Sequence, residues 1–137
     1  ARDSGAPFAV ITGGEPLLHD LLPLTLGLKS AGLQVHIETS GSSPLSGQLD
    51  WITLSPKRFK KPTEEVFDYV DELKVVVLTN KDLKWAEENA AKCPAGTKLL
   101  LQPEWETPKS IDLIVEYVKD HPEWGISLQT HKFLKVP

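Results

Sequence analysis

Two kinds of apolar pattern alternate along the chain. Short runs of strand length recur at Phe8-Ala-Val-Ile-Thr12, Leu33-Gln-Val-His-Ile-Glu38, Trp51-Ile-Thr-Leu-Ser55, Leu73 to Leu78, Lys98-Leu-Leu-Leu-Gln102 and Ile126-Ser-Leu-Gln129. The first is continuously apolar, as expected of a strand buried on both faces, and the three valines within Leu73 to Leu78 mark the clearest buried strand. The second alternates, so a period of two puts His36, Glu38 and Ser40 on one face and Val35 and Ile37 on the other. In the third, Trp51, Thr53 and Ser55 share a face.

Stretches of helical period lie between these runs. Leu17 to Gly32 carries Leu24, Leu28 and Ala31 at helical spacing, and its helix is predicted to start near Leu21 with Pro23 in the first turn. Glu64 to Tyr69 is a short helical candidate. Thr79-Asn80 caps a helix over Asp82 to Cys93, stopped by Pro94 and Gly96, and Ser110 is placed as the N-cap of a helix with the stripe Ile111, Ile114, Val115, Val118. No helix fits between Ile37 and Trp51. Strands alternating with helices predict an α/β protein with a parallel sheet, and the length predicts a single domain over 1–137.

In parallel α/β folds, ligands bind where the strands end, because the variable loops gather there. The predicted strands end in Thr12-Gly-Gly-Glu15, Glu38-Thr-Ser40, Ser55-Pro-Lys57, Thr79-Asn80, Gln102-Pro-Glu104 and Gln129-Thr-His131. Each polar end alone says little, since loops start there anyway. Together they offer carboxylates, a lysine, hydroxyls and amides, a set suited to a zwitterionic or polar-ring ligand. Two adjacent glycines, Gly13 and Gly14, let backbone approach a ligand closely, and Pro16 fits the first position of a helix. No Gly-x-Ser-x-Gly elbow, His-Glu-x-x-His pair or phosphate loop is present.

Charge and cysteine count narrow the classes further. Fifteen Lys and Arg against 19 Asp and Glu give a net charge of −4, without the basic footprint of a duplex-binding protein. The local exception is Lys57-Arg-Phe-Lys-Lys61, read as a solvated basic loop. One cysteine, Cys93, excludes an intrachain disulfide, supplies no metal or iron–sulfur site by itself, and points to a cytoplasmic setting without a membrane span. His19 and His121 are expected at the surface, His36 on a strand face with a partner, and His131 at a strand end beside Gln129 and Lys132.

Thr12-Gly-Gly-Glu-Pro16, Glu38-Thr-Ser-Gly41, Ser55-Pro-Lys57, Gln102-Pro103 and Gln129-Thr-His-Lys132 resemble, in that order, the motifs of the 7-carboxy-7-deazaguanine synthase family of radical S-adenosylmethionine enzymes. The resemblance runs from about Phe8 to Pro137. It implies a partial parallel (β/α) barrel of the radical S-adenosylmethionine type. Gly14 and Glu15 would hold the amino group of S-adenosylmethionine, with Gly13 in the same turn, and Glu38 would meet the ribose. Ser55, Pro56 and Lys57 would bind the methionine carboxylate side, and Gln102, Pro103, Glu104 and Trp105 would lie against the adenosine. Thr12, His131 and the terminal carboxylate of Pro137 would contact the substrate, a carboxylated tetrahydropterin. In this family a reduced 4Fe-4S cluster cleaves S-adenosylmethionine to a radical that takes hydrogen from the substrate. A magnesium-assisted ring contraction then gives the deazapurine used in queuosine-type tRNA modification. A reductant protein such as flavodoxin is the implied partner.

One departure from the family is plain. The Cys-x-x-x-Cys-x-x-Cys loop that binds the cluster is absent from these residues, as is the hydroxyl expected to bind magnesium. The chain therefore resembles the C-terminal portion of such an enzyme without its first strands, and is expected to be catalytically inert, with no catalytic residue and no metal ligand of its own. Two further readings stay open: a non-catalytic module that binds S-adenosylmethionine or a nucleotide, and a glycyl-radical-activating type of radical enzyme. Without preceding strands, Phe8 to Thr12 would be an apolar edge strand that invites pairing with a second copy, so a homo-oligomer is expected.

Overall fold

The computed structural model describes residues 5–129. They form two compact units, residues 5–72 with 93–97, and residues 73–92 with 98–129. In the first unit β1 (Phe8–Ile11), β2 (Gln34–Thr39) and β3 (Trp51–Leu54) are parallel and lie in chain order. The register sets Ile11 beside Ile37 and Ile37 beside Ile52, so one face collects these isoleucines. Leu17 and Leu21 cover that face, with Leu45 and Leu49 at its margin. Removing such side chains from water is the main stabilising term of the unit, at about 25 cal/mol per Å².

Pro16–Leu18 forms a short 3₁₀ turn, and α1 (Leu22–Ser30) follows with Pro23 in its first turn, as its missing N–H allows. The buried side of α1 differs from the predicted one. Leu21 and Thr25 are buried, whereas Leu24 is 50% exposed. The reason lies in the connection after β2, which holds no helix, as expected, and folds back as a loop. Its Gln48 N–H donates to Thr25 Oγ1 (3.0 Å), and Leu21 N–H donates to Ser46 Oγ (3.0 Å), fixing which face of α1 looks inward.

β1 corrects a second expectation. Ala9 and Ile11 are half-buried, but Phe8 and Val10 are 44% and 51% exposed, so only one face is covered among the described residues. On the open face Phe8 stacks on His36, with centroids 4.6 Å apart, and His36 leans towards Trp51. His36 is thus a strand-face residue held by aromatic neighbours. Glu64–Tyr69, predicted helical, is a 3₁₀ helix that buries Val66 and Phe67.

The second unit holds β4 (Glu72–Val77) from Leu73 on, α2 (Asn80–Ala90), β5 (Lys98–Pro103), α3 (Lys109–Asp120) and β6 (Trp124–Ile126), its strands again in chain order. Leu73, Val75 and Val77 are buried and Val76 is exposed, so β4, expected to be a buried strand, is buried on alternate residues. Thr79 caps α2, its N–H and hydroxyl donating to Asp82 Oδ2 at 2.8 and 3.0 Å. α2 ends at Ala90, three residues before the predicted Cys93.

Ser110 is not the cap of α3. It sits inside the first turn, fully buried, and its hydroxyl can donate to the Thr107 and Glu104 carbonyls at 2.7 and 3.1 Å. Ile114 is buried as expected, but Ile111 is 41% exposed. β6 also shifts, to Trp124–Ile126 from the predicted Ile126–Gln129. Trp124, 3% exposed, is the residue that locks this strand, pairing with Leu99 of β5.

Candidate functional site

The C-terminal ends of β1, β2 and β3 lie side by side, because Ile11 pairs with Ile37 and Thr39 with Leu54. Thr12-Gly13-Gly14-Glu15 continues from β1, and Gly13 adopts φ +129°, a backbone conformation that L side chains rarely take. No atom lies within 4 Å of where a Cβ would stand on Gly13 or Gly14. The turn is therefore open on the side where a ligand would approach. Pro16 follows at the start of the 3₁₀ turn, and Glu15 caps it by accepting from Leu17 N–H (3.1 Å).

Glu15 is the most heavily bonded side chain of this edge. Its Oε1 accepts from Leu17 N–H and from Thr39 Oγ1 (2.5 Å), and its Oε2 accepts from Ser40 N–H (2.9 Å) and from the Ser40 hydroxyl. Burial works to raise its pKa, but the hydrogen bonds from Ser40, Thr39 and Leu17 together outweigh it and hold the carboxyl below its ordinary value of 4.5. An ionised carboxylate at this position has the right charge for an ammonium group. Thr39 is buried and also accepts from Gly41 N–H (3.0 Å).

Gly41 in turn is a position where any side chain would be strained. Its φ is +69°, and an added Cβ would stand 2.6 Å from Leu54 Cδ1.

Ser55 and Pro56 are buried beyond the end of β3, and Ser55 N–H donates to the Thr39 carbonyl (2.7 Å). Lys57 Nζ donates to Ser55 Oγ (3.2 Å). The predicted basic loop is a tight turn, closed by an antiparallel bridge between Lys57 and Lys60 and carrying Phe59 almost fully exposed at its tip. Glu38 is half-buried on the open face, beside Thr53 in the register.

The predicted adenosine segment belongs to the second unit. Gln102 and Pro103 close β5 and are buried, while Glu104 N–H donates to the Val77 carbonyl (3.1 Å). Pro103, Glu104, Trp105, Pro108, Ile111, Leu128 and Gln129 line a cavity of about 150 Å³ there. His131 and Pro137 lie outside the described residues.

The structure adds three residues given no role from the sequence, two inside the second motif and Ser42 just past it. Thr39, Ser40 and Ser42 surround Glu15 or its partners, and Ser42 Oγ stands 3.1 Å from Ser40 Oγ. Thr39 lies on the same face as the buried Val35 and Ile37 and is itself buried. Its function depends on a hydroxyl that turns back toward the loop of a neighbouring strand, which one strand's periodicity does not show.

No family model matches the chain. A 7-carboxy-7-deazaguanine synthase of a Synechocystis strain is 53% identical over 129 residues, which are 94% of this chain and 62% of that protein. One from Prochlorococcus marinus is 38% identical over 99% of this chain and 71% of its own length. The chain belongs to the 7-carboxy-7-deazaguanine synthase family. Its fold is shared with the crystal structure of QueE from Escherichia coli, at a TM-score of 0.81 and 31% identity, covering 93% of this chain and 59% of QueE. The chain thus spans about three fifths of the length of the synthases it most resembles among these.

Family membership raises the question of which cofactors these residues could hold. The ionised Glu15, the open glycine turn and Lys57 beside Ser55 fit the ammonium and carboxylate of a sulfonium amino acid. A 4Fe-4S cluster does not fit them. Cys93 is the one cysteine in the sequence, and burial pushes its thiol up to about 11, away from the thiolate form that ligates iron. Among the described residues no group of three or more His, Cys, Asp or Glu side chains could hold a metal ion, and no helix is long and apolar enough to cross a membrane.

Proposed function

We propose that this chain is the S-adenosylmethionine-binding part of a 7-carboxy-7-deazaguanine synthase, which converts a 6-carboxytetrahydropterin to the deazapurine. The observation that carries the reading is the ionised Glu15, fixed by four donors where β1 and β2 end, with Ser55 and Lys57 at the end of β3 in the same unit. In this reading Glu15 and the backbone of Gly13 and Gly14 orient the cofactor's ammonium. Lys57 neutralises its carboxylate and Glu38 takes the ribose hydroxyls. Gln102 to Trp105 lie against the adenosine, and Thr12, His131 and Pro137 face the pterin.

A 4Fe-4S cluster and magnesium would have to be held by residues other than these, the cluster contributing reducing chemistry where it is bound. The enzyme is a cytoplasmic homodimer served by a reductant such as flavodoxin. The exposed face of β1, with Phe8 and Val10, supports self-association. Light scattering at micromolar concentration tests that last point, a strictly monomeric mass opposing it.

Titration calorimetry with S-adenosylmethionine tests the main reading. Binding is expected, and Glu15→Gln and Lys57→Ala should each weaken it about tenfold or more, as loss of a charged partner does. Unchanged affinity in both variants would reject the assignment. A second reading, a non-catalytic module that keeps the cofactor site, is favoured by the single cysteine. It is separated from the first by assaying the complete gene product, after iron and sulfide reconstitution, for turnover of the pterin.

A further inference from the structure

A carboxylate offers about four lone-pair sites, and in Glu15 all four are taken. Oε1 serves Leu17 N–H and the Thr39 hydroxyl, and Oε2 serves Ser40 N–H and the Ser40 hydroxyl. An ammonium cannot hydrogen-bond to this group unless one donor leaves. Three of the four are tied. The two backbone N–H groups cannot rotate, and the Thr39 hydroxyl oxygen is held from its other side by Gly41 N–H (3.0 Å). The Ser40 hydroxyl alone has a second acceptor in reach, Ser42 Oγ at 3.1 Å. Its single proton can serve Glu15 or Ser42, but not both at once.

We propose that Ser42 is a positioning residue that makes Glu15 receptive. When a ligand ammonium arrives, the Ser40 hydroxyl turns its proton from Glu15 Oε2 to Ser42 Oγ, and the ammonium takes the vacated lone pair. No buried donor or acceptor is left unpaired in either state, which keeps the exchange low in cost. Unliganded, the hydroxyl stands in for the cation and keeps the carboxylate oriented. This inference deepens the proposed function and rests on Glu15 meeting the cofactor's ammonium.

The test is titration calorimetry on this chain with two probes, S-adenosylmethionine and the analogue that lacks only its amino group. Glu15→Gln should weaken the first probe and leave the second unchanged. If it affects both equally or neither, or if the unaltered chain binds neither probe, the reading of Glu15 fails and the inference falls with it. Given that result, Ser42→Ala should weaken S-adenosylmethionine about three- to tenfold, the worth of one lost hydrogen bond, with no change for the analogue. Ser42→Thr, which keeps the hydroxyl, should restore the affinity. In the S40A background, where no hydroxyl has to move, Ser42→Ala should have no effect. An unchanged affinity for S42A, a loss shared by both probes, or a loss that persists in the S40A background would overturn the exchange while leaving Glu15 as the ammonium partner. A thermal melt of each variant checks that it is folded, and if S42A is not, Ser42→Cys, whose sulfur is only a weak acceptor, takes its place with the same expected loss and the same overturning results.

Discussion

At the scale of single residues, Glu15 joins structure and function in one group. Its folded pKa lies below the ordinary 4.5, so its stabilising contribution is fully present above the unfolded value and is lost as pH falls through the lowered folded value. Glu15→Gln should therefore cost about 1 kcal/mol near neutral pH, the lower part of the range because the carboxylate is partly open to water. The deficit should shrink on acidification, and urea denaturation across a pH series reads both effects. Gly41 makes a different demand, being fixed by a left-handed φ and by the closeness of Leu54. Gly41→Ala should destabilise the chain by about 2 kcal/mol or more, combining the conformational penalty with displacement of packed atoms, as measured by the same method. Cys93, its thiol pushed up to about 11, should react with iodoacetamide at mildly alkaline pH far more slowly than the same cysteine in the unfolded chain.

At the scale of elements, the second unit is tied by one acidic side chain. Glu87 on α2 accepts at Oε1 from the Tyr117 hydroxyl of α3 (2.5 Å) and from Trp124 Nε1 of β6 (2.7 Å). Burial, then the bond to Glu87, raises the Tyr117 pKa well above its ordinary 10.0. Glu87→Ala should lower stability by about 2 kcal/mol, because a charged acceptor is lost and two donors are left behind. The onset of tyrosinate absorbance for Tyr117 should move to lower pH in the same variant, which spectrophotometric titration detects. None of this was visible in the sequence, where Glu87 is one polar residue on a polar helix. The strands and the three helices were legible, because apolar runs and Gly or Pro stops report on local conformation. Ser110 was misread as a cap because its hydroxyl finds the Glu104 and Thr107 carbonyls, an arrangement set by the loop before α3.

At the scale of the molecule, charge and fold class follow from sums over many residues and are correspondingly well read from sequence. With a net charge of −4 and a pI near 5.5, solubility should pass through a minimum near that pH and binding to duplex nucleic acid should be weak. Solubility measured against pH and a titration with duplex DNA at low salt check the two points. Three of the five motifs, at Thr12, Glu38 and Ser55, fall at or just past the ends of β1, β2 and β3, where a change from apolar to polar residues is legible in the sequence.

The sequence by itself determined the α/β class, the order of strands and helices, the absence of a helix between β2 and β3, and the polar residues that follow β1, β2 and β3. Those properties depend on the period of side chains along one segment and on the turn residues that bound it. Only the tertiary structure decided that β1 is covered on one face, that α1 turns Thr25 inward, that Ser110 bonds backward, and that Thr39 and Ser40 saturate Glu15. Each of these is a relation between segments distant in sequence. It is fixed by the register of parallel strands and by where a hydroxyl or N–H finds an acceptor, and local periodicity carries no record of either.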